Sequence, residues 1–242
     1  MRRATALLIL TAVLLLPGRA SASLFLQDWG VSYGNWNPTA FTGTSNYTVE
    51  DWTPAVNDEG YLDPGWGGDD YDVEAVYFGA DSDNYYFAVV TGFAPGGQDG
   101  FDAGDLFVDI GNDGTYDIAF DQSEGGLLVN GITGVENPSP GGGETFGHVS
   151  DPFRVTSYSG TPYAGHSYSY GAFSGRYAIE AKIARSYLGP IGDYHVHWTM
   201  GCGNDAGDLE GTMVPEPATL LLLGTGLLGG VAARRRKKSR RS

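Results

Sequence analysis

The residue pattern predicts an all-β fold, an antiparallel β-sandwich of jelly-roll type. Three observations carry this. Short runs of β-branched and aromatic residues recur between clusters of Gly, Asp, Asn and Ser, which is the rhythm of strands joined by turns. Glycine is abundant, at 38 of 242 residues, and no long helix-period pattern occurs after residue 23. Between Arg176 and Ile183 the alternation is strict: Tyr177, Ile179, Ala181 and Ile183 share one face, with Arg176, Ala178, Glu180 and Lys182 opposite.

Along the chain, Arg2 and Arg3 precede an apolar run from Ala4 to Leu16, broken by Pro17-Gly18-Arg19 and followed by Ala20-Ser21-Ala22. Basic start, short apolar run and an A-x-A pattern predict a signal helix over residues 1–22, with Ala20 and Ala22 placed for signal peptidase. Residues 23–70 read as a loop-rich first part of the mature chain, with Trp29, Trp36, Trp52 and Trp66 spread through it. The sandwich core is expected over 71–210. Its clearest strands are 72–78, 85–91, 105–110, 116–120, 126–130, 176–183 and 194–200. The run from Tyr85 to Val90 is apolar on both faces and reads as central in its sheet. Residues 136–175, rich in Gly, Ser, Tyr and Pro, read as loop.

The last part, 211–242, holds Val214-Pro215-Glu216-Pro217, an apolar stretch from Leu220 to Ala233, and the basic cluster Arg234 to Arg241. As a helix, that 14-residue stretch reaches about 21 Å, short of the roughly 30 Å of a bilayer core. Gly224, Gly226, Gly229 and Gly230 weaken it further. A short hydrophobic helix of this kind suits a transient hold in the inner membrane. The positive-inside rule keeps its basic cluster cytoplasmic, on the side where the N-terminal arginines also begin.

With both ends set aside, four Lys and Arg face 28 Asp and Glu, a net charge near −24. Such a core repels the phosphates of nucleic acid and an anionic membrane surface. It leaves cations or neutral partners such as sugars, beside plain solubility. Cys202 is the only cysteine, so no internal disulfide forms, and it reads as a small buried hydrophobe.

Val214-Pro215-Glu216-Pro217, the short Leu/Gly-rich span and the terminal Arg cluster together resemble the PEP-CTERM sorting signal of Gram-negative bacteria. The resemblance implies recognition near Pro215-Glu216-Pro217 by an exosortase, a membrane cysteine peptidase. It further implies release to the periplasm, cell surface or extracellular space, among proteins of exopolysaccharide and biofilm. The segments Tyr71 to Phe78, Asn84 to Thr91 and Gly104 to Asp109 are similar to the DOMON-like or family 9 carbohydrate-binding sandwich, over about residues 70–210. That likeness implies a fold and names no ligand.

One local pattern points to chemistry. Residues 105–121 read as a hairpin about the loop Asn112-Asp113-Gly114, with Gly114 left-handed. The apolar residues select a register in which Ile110 meets Tyr116, Val108 meets Ile118 and Leu106 meets Phe120. Asp109 then faces Asp117 and Asp105 faces Asp121, and like charges directly opposite are destabilising. Calcium would relieve this, with Asp105, Asp109, Asp113, Asp117 and Asp121 as candidate ligands; a solvated acidic face is the alternative. The segment is no EF-hand, since Phe120 stands where the closing Glu belongs. His195 and His197 share a face of the 194–200 strand, which is half a zinc site, with Asp205 or Cys202 available to complete it. Gly165-His166-Ser167-Tyr168-Ser169 lacks the final Gly and the strand-to-helix context of a nucleophile elbow. The expectation is a non-enzymatic exported surface or matrix protein that binds a glycan or calcium. A secreted polysaccharide hydrolase is the alternative.

Overall fold

The computed structural model describes residues 24–49, 68–139 and 150–213. The signal segment with Ala20 and Ala22, Trp52 and Trp66, and the tail with Val214, Pro215, Glu216 and Pro217 lie outside them. So do the two terminal helices expected from the sequence. Among the described residues no helix is long and apolar enough to cross a membrane.

Twelve strands are described: β1 (Thr44–Val49), β2 (Val73–Ala80), β3 (Asn84–Thr91), β4 (Leu106–Ile110), β5 (Ile118–Asp121), β6 (Leu127–Asn130), β7 (Ile132–Glu136), β8 (Arg154–Tyr158), β9 (Ser167–Phe173), β10 (Arg176–Ala184), β11 (Asp193–Thr199) and β12 (Ala206–Thr212). A single helical turn, α1 (Arg185–Leu188), follows β10. The strands form two five-stranded sheets, in the orders β1-β2-β3-β10-β9 and β12-β11-β4-β5-β6, with β7-β8 as a separate hairpin. Neighbouring strands are antiparallel throughout. The all-β sandwich expected from the sequence is the observed fold, and β3 is the middle strand of its sheet.

Alternation in each strand decides what lies between the sheets. Val76, Phe78, Phe87, Val89, Ile179 and Ile183 from the first sheet share one core cluster with Leu106, Val108, Phe120, Val196, Trp198 and Leu209 from the second. Phe78 stacks on Tyr194 across the gap with ring centroids 4.0 Å apart. Aromatic contacts of this kind add about 0.5–1.5 kcal/mol beyond area burial. Cys202 lies in this core, 1% exposed, as expected.

The outer face of the first sheet is also covered. Phe25, Leu26, Trp29, Val31 and Trp36 pack on Ala75, Tyr77, Ala88, Val90 and Ala178. This is why β2 and β3 carry no polar face. Glu180, on the same side of β10, accepts the backbone N–H groups of Leu24, Phe25 and Leu26 at 2.7–2.8 Å. Residues 24–49 are therefore built into the sandwich: they supply its outer layer and its edge strand β1, where the sequence suggested a loop-rich prelude.

Five strands were not legible in the sequence: β1, β7, β8, β9 and β12. The last matters most below. β12 carries Gly207 and Gly211 because it approaches the first sheet closely; a Cβ on Gly207 would sit 2.6 Å from Val76 Cγ2 and 2.8 Å from Val73 Cγ1. Glycine is depleted in strands generally, so this close fit removed the usual signal.

The hairpin β4–β5 keeps the expected register where it is paired, with Leu106 opposite Phe120 and Val108 opposite Ile118. Ile110 and Tyr116 do not pair. The ladder ends at Val108 and Ile118, and Ile110 lies opposite Tyr194 of β11 instead. The loop is wider than three residues, with positive φ at Gly111, Asn112 and Gly114.

Candidate functional site

Carboxylates cause that widening. Asp109, 1% exposed, accepts the N–H groups of Asp113 at 3.2 Å and Gly114 at 2.7 Å. Asp117 accepts the N–H of Ile110 at 2.6 Å. Side chains that bond nearby backbone offer it an alternative to the ladder, and here they replace the last ladder pair. Deeper in, Asp105 accepts from Gln122 N at 2.7 Å and Val155 N at 2.8 Å, which ties the hairpin to β8. Asp121 caps the turn that follows β5, accepting from Ser123 Oγ at 2.7 Å and Glu124 N at 3.2 Å. Asp113, at the tip, accepts from Thr115 N at 3.0 Å.

The five aspartates named from the sequence thus each hold amide or hydroxyl donors of their own. No three of them converge as a group of ligand atoms that could hold a metal ion. Asp109, in β4, and Asp117, just before β5, lie one step beyond the last ladder pair and are not paired with each other; backbone amides supply their partners. Burial nonetheless pushes Asp105 up to about 7, with Asp121 adding to it and the amides of Val155 and Gln122 opposing. Asp117 is raised by burial, against the Ile110 amide, with Asp109 and Asp113 contributing.

The neighbouring strands give a different arrangement. His195 and His197 lie on the outer face of β11, opposite the core residues Val196 and Trp198. In the β11–β12 ladder, His197 is directly opposite Asp208 and His195 opposite Glu210. On the other flank His195 is opposite Asp109 and His197 opposite Phe107. Directly opposed residues place their Cβ atoms about 4.5–5.5 Å apart, close enough for short side chains to meet. They do: Asp208 Oδ1 lies 2.5 Å from His195 Nε2 and 2.8 Å from His197 Nδ1.

The other nitrogen of His197, Nε2, is 3.0 Å from the carbonyl oxygen of Pro152. A carbonyl only accepts, so Nε2 carries the hydrogen there. His197 is buried at 1% exposure, whereas the His195 and Asp208 side chains are 19% and 30% exposed. The ring of Tyr116, freed from the hairpin ladder, lies 5.7 Å from that of His195 and 5.9 Å from that of His197. Burial works against a charged His195, but Asp208, Glu210 and Asp109 outweigh it and raise its basicity. Burial likewise opposes an ionised Asp208, and the two histidines hold it well below the usual carboxylate range.

The third member of this cluster is neither of the residues suggested by the sequence. Asp205 turns inward and accepts from Val73 N at 2.6 Å and Ala206 N at 2.9 Å. Cys202 sits in the core, where burial pushes its thiol up. Asp208 was missed because β12 was missed. Its signal was faint but present, since Asp208 and Glu210 alternate with Gly207, Leu209 and Gly211. Ser167, in the elbow-like pattern, begins strand β9 and so has no strand-to-helix turn.

Beside the acidic hairpin, an open cleft of about 250 Å³ is lined by Pro95, Gly97, Asp102, Gln122, Ser123 and Arg154. Arg154 donates to Asp102 across it at 2.7 Å.

Residues 214–237 match the family described as the PEP-CTERM protein-sorting motif. The chain is thus an exported protein of the kind sorted by an exosortase, held by its C-terminal segment before processing. The match covers the tail and not the sandwich. No curated protein and no solved structure shows a significant match to the chain.

Proposed function

We propose that the protein is a non-enzymatic component of the bacterial surface or extracellular matrix, released from the inner membrane by exosortase cleavage and in contact with exopolysaccharide. The observation that carries this is the sorting motif at 214–237, which implies delivery of the acidic sandwich outside the cell. Signal peptidase, acting after Ala22, would free the other end.

The disposition of the acids supports a binding rather than a hydrolytic role. A glycosidase works with two carboxylates free to protonate and attack a substrate. Asp105, Asp109, Asp121 and Glu180 are instead engaged by backbone amides. The cleft at Arg154 offers a neutral sugar the mixed donors and acceptors of Arg154, Asp102 and Gln122.

The test has two parts. In its native host, the mature chain should lack residues 218–242 by mass spectrometry; recovery of an intact tail removes the processing step. The purified protein should bind host exopolysaccharide without releasing product, and Arg154→Ala should weaken that binding about tenfold. Product release that depends on one carboxylate pair would establish the hydrolase instead.

A further inference from the structure

We propose that His195, His197 and Asp208 form a binding site for a zinc-class divalent transition-metal ion on the outer face of the second sheet. The argument begins with geometry. One ligand atom from each residue lies within 4.8 Å of the other two. The three come from adjacent strands, at alternate positions of β11 and at the cross-strand partner of one of them. Their relative placement is therefore set by the sheet and not by a loop.

The orientation of His197 is the second strand of the argument. Metal-bound histidines almost always direct their other ring nitrogen to a carbonyl or carboxylate, which fixes ring and tautomer. His197 is 1% exposed and spends Nε2 on the Pro152 carbonyl. In the neutral ring Nδ1 then carries the lone pair, and Nδ1 is the atom aimed at Asp208. Two lone pairs 2.8 Å apart repel. Only a hydrogen on Nδ1 as well, or a cation between Nδ1 and the carboxylate, satisfies that contact.

The surroundings suit a cation. Glu210 and Asp109 occupy the register positions on either side of His195 and add negative charge. His195 and Asp208 are partly exposed, so an ion can enter. The Tyr116 ring packs within 6 Å of both imidazoles. In a tetrahedral site with bonds of about 2.0–2.1 Å, neighbouring ligand atoms stand roughly 3.3 Å apart. The observed 2.5 and 2.8 Å would thus open by less than about 1 Å, and the two ring nitrogens, within 4.8 Å of each other, would close by at most about 1.5 Å.

The donor set also selects the ion. Imidazole nitrogen suits zinc and its transition-metal neighbours, whereas calcium and magnesium take oxygen. Three protein ligands leave a coordination position for water or for an oxygen of a partner molecule.

The experiment is calorimetric titration of zinc chloride into the full chain, purified in detergent without a histidine tag and stripped with chelator. One zinc per chain should bind with micromolar or tighter affinity, and a hundredfold excess of calcium should not displace it. Cobalt(II) should give the absorption bands of a low-coordinate nitrogen–oxygen site. His195→Ala and Asp208→Asn should each weaken zinc at least tenfold, and Asp113→Asn should leave it unchanged. His195 is partly exposed, so that variant should fold, and circular dichroism checks it. Absence of stoichiometric zinc binding up to a millimolar, displacement by calcium, or zinc affinity indifferent to both His195→Ala and Asp208→Asn would each overturn the proposal. The cluster would then be an imidazolium–carboxylate ion pair.

Discussion

The tip of β4–β5 and the face of β11–β12 are neighbours in one sheet, and both are crowded with ionisable side chains. They solve that crowding differently. At the hairpin, five aspartates each find backbone amides or a hydroxyl, and the chain bends to supply them. Across β11–β12, side chains meet side chains: two imidazoles converge on one carboxylate. An amide-held carboxylate is a structural brace, because its lone pairs are committed when the backbone folds. A carboxylate held by histidines remains exchangeable, because a metal ion can take the place of the ring hydrogens. The number of acids in a segment therefore says little about which kind of site it forms.

The largest expected effect concerns the deepest acid of the hairpin. Asp105 is 1% exposed and its folded pKa is raised from 3.8 to about 7. Between those values the folded state holds a proton that the unfolded state has lost. Stability from this group is then complete below about pH 4 and falls as pH rises through about 7. At roughly 1.4 kcal/mol per unit the loss is about 4 kcal/mol. Denaturant melts from pH 4.5 to 8 should show a decline that Asp105→Asn flattens; an unchanged slope in that variant would assign the decline elsewhere, Asp72 being the other acid raised to about 7 by burial.

A direct contrast between the two regions comes next. Asp109→Ala leaves the amides of Asp113 and Gly114 without their acceptor and should cost about 2 kcal/mol. In metal-free protein His195→Ala should cost less than about 1 kcal/mol, as partly exposed ion pairs contribute little. Parallel thermal melts check the order, and a larger loss at His195 would invert the reading of brace and exchangeable site. The smallest effect should be that of calcium. Since the hairpin carboxylates are committed to amides, millimolar calcium should shift the melting temperature by under about 1 °C, corresponding to a few tenths of a kcal/mol. A shift of several degrees would make the hairpin a cation site after all.

Legibility from sequence followed the strength of periodicity. Strands with strong apolar alternation or continuous β-branched runs, β2 to β6, β10 and β11, stand where the residues suggested. The hairpin register followed as well, because a slip by one residue would have exposed Leu106, Val108, Ile118 and Phe120. Strands made of Ser, Tyr and Gly, such as β9, or of Gly and acids, such as β12, lack that signal. Two of the three residues of the candidate metal centre were visible as His195 and His197. Its third member was hidden, because Asp208 is eleven residues beyond His197 and meets it only through strand pairing.

Residues alone determined the sorting tail, the acidity of what it delivers, the all-β class and the register of its acidic hairpin. Each depends on local order along the chain: a motif, a count, an alternation of two. Tertiary structure decided which acids are braces and which acid joins the histidines. It also decided that residues 24–41 cover the first sheet and that Tyr116 packs beside the imidazoles. The physical reason is common to all of these. An ionisable group takes its role from the donors that folding brings within about 3 Å of it, and for Asp105, Glu180 and Asp205 some of those donors come from segments far away in sequence.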